Sequence, residues 1–317
     1  MRERPKFIAP VATRSRLVLE MAYEMVGDWG FKHKQARITL REQGDQNPWA
    51  LAIDGSDTPA AIDEVARGDA QIAIINPSDP LQVALRGKGR WKEPVPVRIL
   101  TVIPSLDQII FAVHPRTGIK TLADIRDKKY PLKVSMRRQP GHSTYFIVGE
   151  ALKALGFSLD DIMSWGGAMH YHRFPPDVEA VVRGDADAIF DEAVDEWIDH
   201  ATDAGLHIIS LDEGHLQQLE ALGLRRHVVT KAQYPALPAD VPTLDFSGWP
   251  VFTRADVPDD FIRAACIALE ACKDRIPWQG VGPLPLERMC IGTVDAPLTA
   301  PLHPAAEKFW REQGYIQ

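Results

Sequence analysis

Short apolar runs alternate with amphipathic segments along most of the chain, and this alternation constrains the fold more than any other feature. Gln71–Ile75 and Leu132–Met136 are two such runs, each next to a segment with helical spacing. This rhythm is typical of β/α units, which build sheets with parallel strands. Because 317 residues exceed what one core usually organises, we expect two α/β lobes, each a mainly parallel sheet flanked by helices.

Two interruptions divide the chain between these lobes. The apolar run Val97–Ile103 breaks at Pro104-Ser105 and resumes at Gln108–Val113, which indicates a crossing from the first lobe to the second. The run Leu206–Leu211 is interpreted as the strand that returns the chain. The sequence therefore predicts lobe one from residues 1–105 and 212–317, and lobe two from residues 106–211.

Composition excludes several classes of function. With 45% hydrophobic and 25% charged residues the chain can form a sizeable core. The net charge is −7 and the sequence has no Lys/Arg stripe, so nucleic acid is excluded as a partner. No apolar run reaches the ~20 residues that span a bilayer, so direct membrane insertion is not expected. The first ten residues carry charge where a leader needs an apolar stretch, so the given sequence predicts no export signal.

The sequence also lacks the motifs that would identify a cofactor, a metal or a nucleophile. Its three cysteines have no zinc or redox spacing, and no nucleophile elbow, Walker loop or dinucleotide fingerprint occurs. We therefore assign no cofactor, metal or catalytic residue. His170 and His172, with Asp191 or Glu192, are an alternative metal set, but His170–His172 is interpreted as a surface or hinge loop.

The most informative loop follows the strand that begins at Leu132. It contains Arg137 and continues through Gly141, His142, Ser143 and Thr144 into a helix. A carboxylate against such a helix start would meet backbone N–H groups, two hydroxyls and nearby cations. We expect this loop to bind an anionic ligand in the cleft between the lobes. Solvent exposure at the strand end is the alternative for at least one of Arg137 and Arg138.

Lobe one is expected to complete the ligand cage from two loops. Lys6–Val11 is predicted as a strand, with Thr13, Arg14 and Ser15 in the loop before a helix that starts near Arg16. Ser78 follows the predicted strand Gln71–Ile75. Since loops at strand ends face helix N-termini in open α/β sheets, Arg14, Ser15 and Ser78 are candidate ligand contacts.

Three further residues are candidates for contacts with the rest of a ligand. Asp191 and Glu192 end a predicted strand, where a carboxylate accepts hydrogen bonds from an amine or hydroxyl. The alternative is that these carboxylates interact favourably with the dipole of their own helix. Trp249 lies between Gly248 and Pro250 and is a candidate lid over an apolar ligand body, with ordinary core packing as the alternative.

Several of these segments together resemble a known family. Five segments are similar in order and spacing to segments of the solute receptors of TAXI-type TRAP transporters. They are Gly55-Ser56 before a helix, the stretch Ala66–Ile74, the stretch Gly118–Ile125, the loop Pro140–Thr144 and the closing segment Pro301–Glu307. The likeness covers most of the chain. The resemblance implies a type II periplasmic-binding-protein-like fold and adds Ser56 and Thr13 to the ligand contacts. The sequence departs from the family where Thr13–Ser15 replaces glycines and where His142 replaces a small residue.

The resemblance implies a periplasmic receptor whose hinged lobes trap a small carboxylate-bearing solute and deliver it to a TRAP-type membrane permease. A leaderless cytoplasmic enzyme on the same fold, a decarboxylase or lyase, is the alternative, with His142, Asp191 or Glu192 as acid or base. A ligand sensor that signals through hinge closure is a third reading.

Overall fold

The computed structural model describes residues 10–27, 35–41, 50–193 and 197–317. The chain divides into two compact units, Met1–Ala36 and Arg37–Gln317. In the first unit the described element is α1, Pro10–Gly27. The predicted loop Thr13–Ser15 therefore lies inside a helix, and the helix starts six residues before Arg16. Proline suits the first turn of a helix, because its missing N–H would have no partner there. Of the predicted strand Lys6–Val11, residues 6–9 lie outside the described part.

The larger unit begins with alternating strands and helices and then crosses between two sheets. Its elements up to the centre of the chain are β1 (Ala36–Arg41), β2 (Ala50–Gly55), α2 (Ala60–Arg67), β3 (Ile72–Ile74), α3 (Asp79–Leu85), β4 (Val97–Ile103), β5 (Gln108–Val113), α4 (Leu122–Asp127), β6 (Lys133–Arg137), α5 (Ser143–Ala154), α6 (Leu159–Ser164) and β7 (Ala168–His172).

The remaining elements complete both sheets. They are α7 (Val178–Arg183), β8 (Ala188–Glu192), α8 (Trp197–Asp203), β9 (His207–Ile208), α9 (Glu213–Leu222), β10 (Arg226–Val229), β11 (Val241–Asp245), β12 (Trp249–Arg254), α10 (Asp259–Cys272), α11 (Leu286–Met289) and α12 (Pro304–Glu312).

The strands form two mixed sheets that organise the two halves of this unit. The first sheet has the order β1-β2-β3-β12-β4, and the second has the order β10-β11-β5-β8-β6-β7, with β9 beside β5. We call each sheet with its helices the first half and the second half. This arrangement confirms the predicted α/β class with two sheets flanked by helices.

Each half contains a strand that is antiparallel to the strands on both sides of it. β12 is antiparallel to both β3 and β4, and β5 is antiparallel to both β8 and β11. At the edge of the second sheet β10 is also antiparallel to β11. The strands joined through helices run in one direction, as β2 with β3 and β6 with β7 and β8 do. The sheets are therefore parallel in their β/α portions, and the reversed strands β5 and β12 directly follow the two crossings.

The first crossing lies where the sequence predicts it, between β4 and β5. The second crossing lies between β11 and β12, after residue 245, and not near residue 212. The predicted boundary therefore needs correction, because β10 and β11 hydrogen-bond into the second sheet through Leu244 and Ile109. The two crossings are bonded to each other: Phe246 N donates to Asp107 O at 2.8 Å, and Gly248 N donates to Ser105 O at 3.0 Å.

Three hydrophobic clusters hold the unit together. The largest draws on both halves, since Phe252 of β12 and Phe111 of β5 belong to it. A second packs α10, α11 and α12 on the first sheet around the fully buried Trp310. The third packs α7 and α8 on the second sheet. No helix among the described residues has the length and apolar character needed to cross a bilayer.

Candidate functional site

Polar residues collect at the carboxyl end of the parallel strands in the second half. β6 ends at Arg137, β7 at His172 and β8 at Glu192, and these strands are parallel neighbours. Helix α5 starts beside them with His142 as its N-cap residue. Open α/β sheets place their ligand sites at this edge.

Arg137 is the centre of this polar cluster. Its Nε donates to Asp191 Oδ1 at 2.9 Å, and one Nη donates to Glu192 Oε1 at 2.6 Å. The other Nη donates to His142 Nε2 at 3.0 Å. Arg137 is 1% exposed, and its guanidinium also lies 5.1 Å from the centre of the Phe174 ring. The guanidinium is therefore satisfied by protein groups within the second half.

Asp191 links the arginine to a second chain of hydrogen bonds. His172 Nε2 donates to Asp191 Oδ2 at 2.7 Å, and His172 Nδ1 lies 2.8 Å from Ser135 Oγ. Burial favours the neutral acid, but the bond from His172 and the charge of Arg137 outweigh it and lower the pKa of Asp191. Asp191 is therefore an ionised scaffold residue with both oxygens engaged by the protein.

The same contacts define the state of His142. Because a guanidinium only donates, His142 Nε2 accepts from Arg137, and the proton of the neutral ring lies on Nδ1. Nδ1 therefore donates to Thr144 Oγ1 at 2.9 Å. The ring stacks on Phe246 of the second crossing with centroids 6.2 Å apart. His142 thus couples the helix start to the arginine and to the crossing.

The start of α5 is also where the two halves meet. Ser143 N donates to Asp57 O at 3.0 Å, and Ser143 Oγ donates to the same oxygen at 3.1 Å. Asp57 lies in the loop that joins β2 to α2 in the first half. A Cβ added to Gly141 would lie 3.6 Å from Thr58 Oγ1 of this loop. The loop Pro140–Thr144 therefore lies between the halves.

Two backbone amides of this loop have carbonyl partners in the structure. Ser143 N donates to Asp57 O at 3.0 Å, and His142 N donates to Gln139 O at 3.0 Å. In this state a ligand would therefore not find these two N–H groups unpaired. The reason is that the Asp57 carbonyl of the facing loop caps the helix start.

The remaining predicted contacts fall in different places. Arg138 is exposed, whereas Arg137 is buried. One of the two arginines is therefore solvent-exposed, which is the alternative given for this pair in the sequence. Ser78 is buried at the second crossing, where its Oγ donates to Gly248 O at 3.3 Å. Trp249 packs partly buried against the core of the first half. Ser56 lies beside Asp57, and its Oγ accepts from Thr58 N at 3.2 Å.

Thr13, Arg14 and Ser15 lie in α1, which belongs to the other compact unit. Their assignment to a ligand loop is wrong in its local structure, since they are helical. The segment His170–His172, expected as a surface or hinge loop, is strand β7. No group of three or more metal-ligating side chains occurs among the described residues.

Sequence reasoning missed two members of the cluster. Ser135 faces His172 from β6, and Asp107 immediately precedes β5 with its side chain 2% exposed. Burial, followed by the charge of Glu192, raises the pKa of Asp107 well above its ordinary value. A signal was present in the sequence, because Asp107 is an acidic residue at the break between two apolar runs.

An open cavity of about 430 Å³ lies elsewhere, at the edge of the first sheet. Arg37, Thr39 and Arg41 of β1 line it together with Asp69 and Gln71. None of its lining residues belongs to the Arg137 cluster. Convergence of buried charge, and not cavity size, therefore singles out the Arg137 cluster as the candidate site.

Comparison with known proteins identifies the family. The family model described as the NMT1-like family matches residues 45–314, so the chain belongs to the NMT1-like family. None of the curated protein sequences compared with the chain matches it significantly. The family match covers both halves and every residue of the Arg137 cluster.

Solved structures similar to the chain include three binding proteins. The first is the alkanesulfonate-binding protein SsuA from Xanthomonas axonopodis pv. citri bound to MOPS, with 13% identity over 68% of this chain and 78% of that chain and a TM-score of 0.29. The second is a binding protein component of an ABC phosphonate transporter from Pseudomonas aeruginosa, with 11% identity over 65% of this chain and 58% of that chain and a TM-score of 0.31. The third is a TRAP periplasmic solute-binding protein from Rhodobacter sphaeroides, with 10% identity over 66% of this chain and 60% of that chain and a TM-score of 0.29. The chain spans less than two thirds of the last two proteins.

Proposed function

We propose that the chain is a solute-binding receptor that captures a small carboxylate-bearing organic molecule between its two halves for a membrane transporter. The observation that carries the proposal is the contact between Ser143 at the start of α5 and Asp57 in the facing loop of the other half. Membership of the NMT1-like family supports a ligand-binding receptor for transport. The TAXI-type resemblance extends the proposal to a TRAP-type permease and to the periplasm.

The geometry gives a route to ligand capture. When the halves separate, the Asp57 carbonyl leaves Ser143, and the N–H and hydroxyl of Ser143 become available to a carboxylate oxygen. A charged acceptor forms stronger hydrogen bonds than the neutral carbonyl that it replaces. His142 immediately precedes Ser143 and is bonded to Arg137, and Ser56 lies beside Asp57 in the facing loop. The ligand then bridges the halves where a protein contact bridges them now.

A thermal-shift screen of small carboxylic acids tests the receptor. A molecule that binds the native protein only must raise the melting temperature, by an amount that grows with its concentration. We expect at least one acid to do so and to be recovered unchanged after the protein is denatured. A screen of amino acids, dicarboxylates and aromatic acids without any concentration-dependent shift would refute capture of a carboxylate.

A double substitution tests the proposed location. Ser143→Ala with Thr144→Ala removes two buried hydroxyls at the helix start, and we expect binding to weaken by about 1–3 kcal/mol in calorimetry. Ser158→Ala is the matched control, because Ser158 caps α6 in a capping box. The control should lower stability without changing affinity. Equal affinity of the double variant and the native protein would place the ligand elsewhere.

The enzyme alternative has one observation in its favour, the bonded series Ser135, His172 and Asp191. A serine activated through histidine and aspartate is the arrangement of nucleophilic hydrolases. Here Ser135 is 0% exposed within β6, and Asp191 is shared with Arg137, so no substrate atom reaches the hydroxyl in this state. Conversion of a bound acid that is lost in Ser135→Ala would establish the enzyme and displace the receptor.

A further inference from the structure

The Arg137 cluster contains more carboxyl groups than its cation balances. Asp191 and Glu192 share the guanidinium of Arg137, with ion-pair distances of 2.7 and 2.6 Å. The charges of Arg137, Asp191 and Glu192 also act on the carboxyl group of Asp107. One positive charge therefore faces three carboxyl groups in a site where each of the four side chains is less than 10% exposed.

Asp107 and Glu192 belong to adjacent backbone segments. Ile109 of β5 pairs with Glu192 of β8, and Ala193 N donates to Gln108 O at 2.7 Å. Asp107 immediately precedes Gln108 and accepts from its N–H at 2.8 Å. We call Asp107 and Glu192 the carboxyl pair. The pair links the first crossing to the end of β8.

The other titratable groups around the pair do not neutralise it. His142 accepts from Arg137, so its ring is neutral in this arrangement. His172 donates to Asp191, which is already the best satisfied carboxylate of the cluster. Tyr234 lies near Asp107, Tyr145 donates to Arg137 O at 2.7 Å, and Asp245 reaches the crossing through a 2.8 Å bond from Ser247 Oγ.

A carboxylate that enters this site brings a further negative charge. Burying a charge without a partner is strongly unfavourable, and a buried carboxyl group responds by taking up a proton. Arg137 cannot lose its proton, so the balance must come from the acids. Asp191 is fixed in its ionised form by His172 and Arg137, which leaves the carboxyl pair.

We propose that the site captures its carboxylate together with one proton, which is held by the carboxyl pair Asp107 and Glu192. The inference rests on the proposed function, since it assumes a ligand at this site. The proton neutralises one acid while the N–H and hydroxyl of Ser143 at the start of α5 bind the incoming carboxylate beside the cluster. The raised pKa of Asp107, caused first by burial and then by the charge of Glu192, agrees with this assignment.

The first experiment measures binding of benzoate, succinate and glutamate by calorimetry from about pH 6 to about pH 8, where their carboxyl groups remain mostly ionised. Repeating each titration in buffers of different ionisation enthalpy gives the number of protons taken up. We expect proton uptake that increases between about pH 6 and about pH 8 toward about one proton per bound molecule, because the free pair loses its own proton over this range. The affinity should fall with pH, by up to about tenfold per pH unit. No proton uptake by a molecule that binds would overturn the proposal.

Variants identify the acids that hold the proton. Asp107→Asn keeps the acceptor for Gln108 N–H, and Glu192→Gln keeps the acceptor for Arg137. The two together should abolish proton uptake, whereas Asp160→Asn, an exposed acid of α6, should leave it unchanged. Undiminished proton uptake in the double variant would overturn the assignment to the pair.

A second measurement needs no ligand. An acid with a raised folded-state pKa binds a proton more tightly in the folded protein, so its contribution to stability is lost as pH rises toward that pKa. The melting temperature of Asp107→Asn relative to the native protein should therefore rise between about pH 5 and about pH 8. If none of the three acids binds, the receptor proposal fails for them, and a pH-independent difference would overturn the shared proton separately.

Discussion

Arg137 combines almost complete burial with full charge, so its removal should be costly. Arg137→Met would leave Asp191 and Glu192 as buried carboxylates without their cation. Breaking a buried ion pair by removing one partner costs about 3–5 kcal/mol. We expect urea denaturation to show a loss of this size in the free energy of unfolding.

Two further variants make this test specific. Arg137→Met with Glu192→Gln removes one of the stranded charges and should recover part of the loss. Arg263→Met breaks the exposed pair between α10 and α12, where Arg263 lies 2.7 Å from Glu312, and should cost less than about 1 kcal/mol. A similar loss for Arg137 and Arg263 would show that the buried cluster is not structurally important.

The sequence identifies most residues of the Arg137 cluster but not which of them contact one another. Arg137, His142, Asp191 and Glu192 are predicted from their position at strand and helix ends. Their mutual contacts depend on the order β8-β6-β7, which brings three strand ends together and which the sequence does not specify. Asp107 is missed because it joins the cluster through the reversed strand β5.

Among the connecting segments, Gly248 at the second crossing combines two constraints. Its φ is +80°, and an added Cβ would lie 2.6 Å from Pro297 Cδ and 2.9 Å from Ser78 Oγ. Gly248→Ala therefore adds steric overlap to the cost of a left-handed backbone, which is about 1 kcal/mol for a residue with a Cβ. We expect thermal denaturation to show a melting temperature well below that of the native protein.

Gly118→Ala separates the two contributions. Gly118 has φ +65°, but an added Cβ would meet nothing within 4 Å. This variant should lose the backbone contribution alone, about 1 kcal/mol. Equal losses at Gly118 and Gly248 would mean that the second crossing tolerates the added methyl group by shifting.

Element prediction succeeds where local signals suffice. The first crossing is predicted because Pro104 interrupts an apolar run. The second crossing is placed too early because β10 and β11 return to the second sheet before the chain leaves it. The assignment of β10 and β11 to the second sheet depends on the pairing of β11 with β5, which is a contact between distant parts of the chain.

For the whole larger unit, the sequence predicts two α/β halves and a polar loop between them, and the structure adds what holds them together. Beside the crossings, Arg225 N and Nε donate to Asp79 Oδ2 and Oδ1 at 2.7 and 2.6 Å. The same guanidinium donates to Asp245. Asp79 starts α3 in the first half, whereas Arg225 and Asp245 belong to the second half. No periodicity in the sequence connects residues so far apart.

Arg225→Met should weaken this connection in a way that depends on pH. Burial is the main cause that raises the pKa of Asp79 to about 6, and Arg225 is the main group that opposes it. Because the folded state keeps the proton up to that pKa, Asp79 already lowers stability as pH rises from about 4 to about 6.

Without Arg225 the pKa of Asp79 rises further, and the loss of stability continues above pH 6. We expect urea denaturation to show a deficit of about 2–3 kcal/mol at neutral pH, below the value for a fully buried pair because the Arg225 side chain is 28% exposed. The deficit should be smaller near pH 5, where Asp79 is protonated in the folded state of both proteins.

Arg226→Met, which removes an exposed cation paired with Glu213 and Glu220, should have little effect at either pH. Equal deficits of Arg225→Met at both pH values would show that Asp79 is not the group through which Arg225 joins the halves.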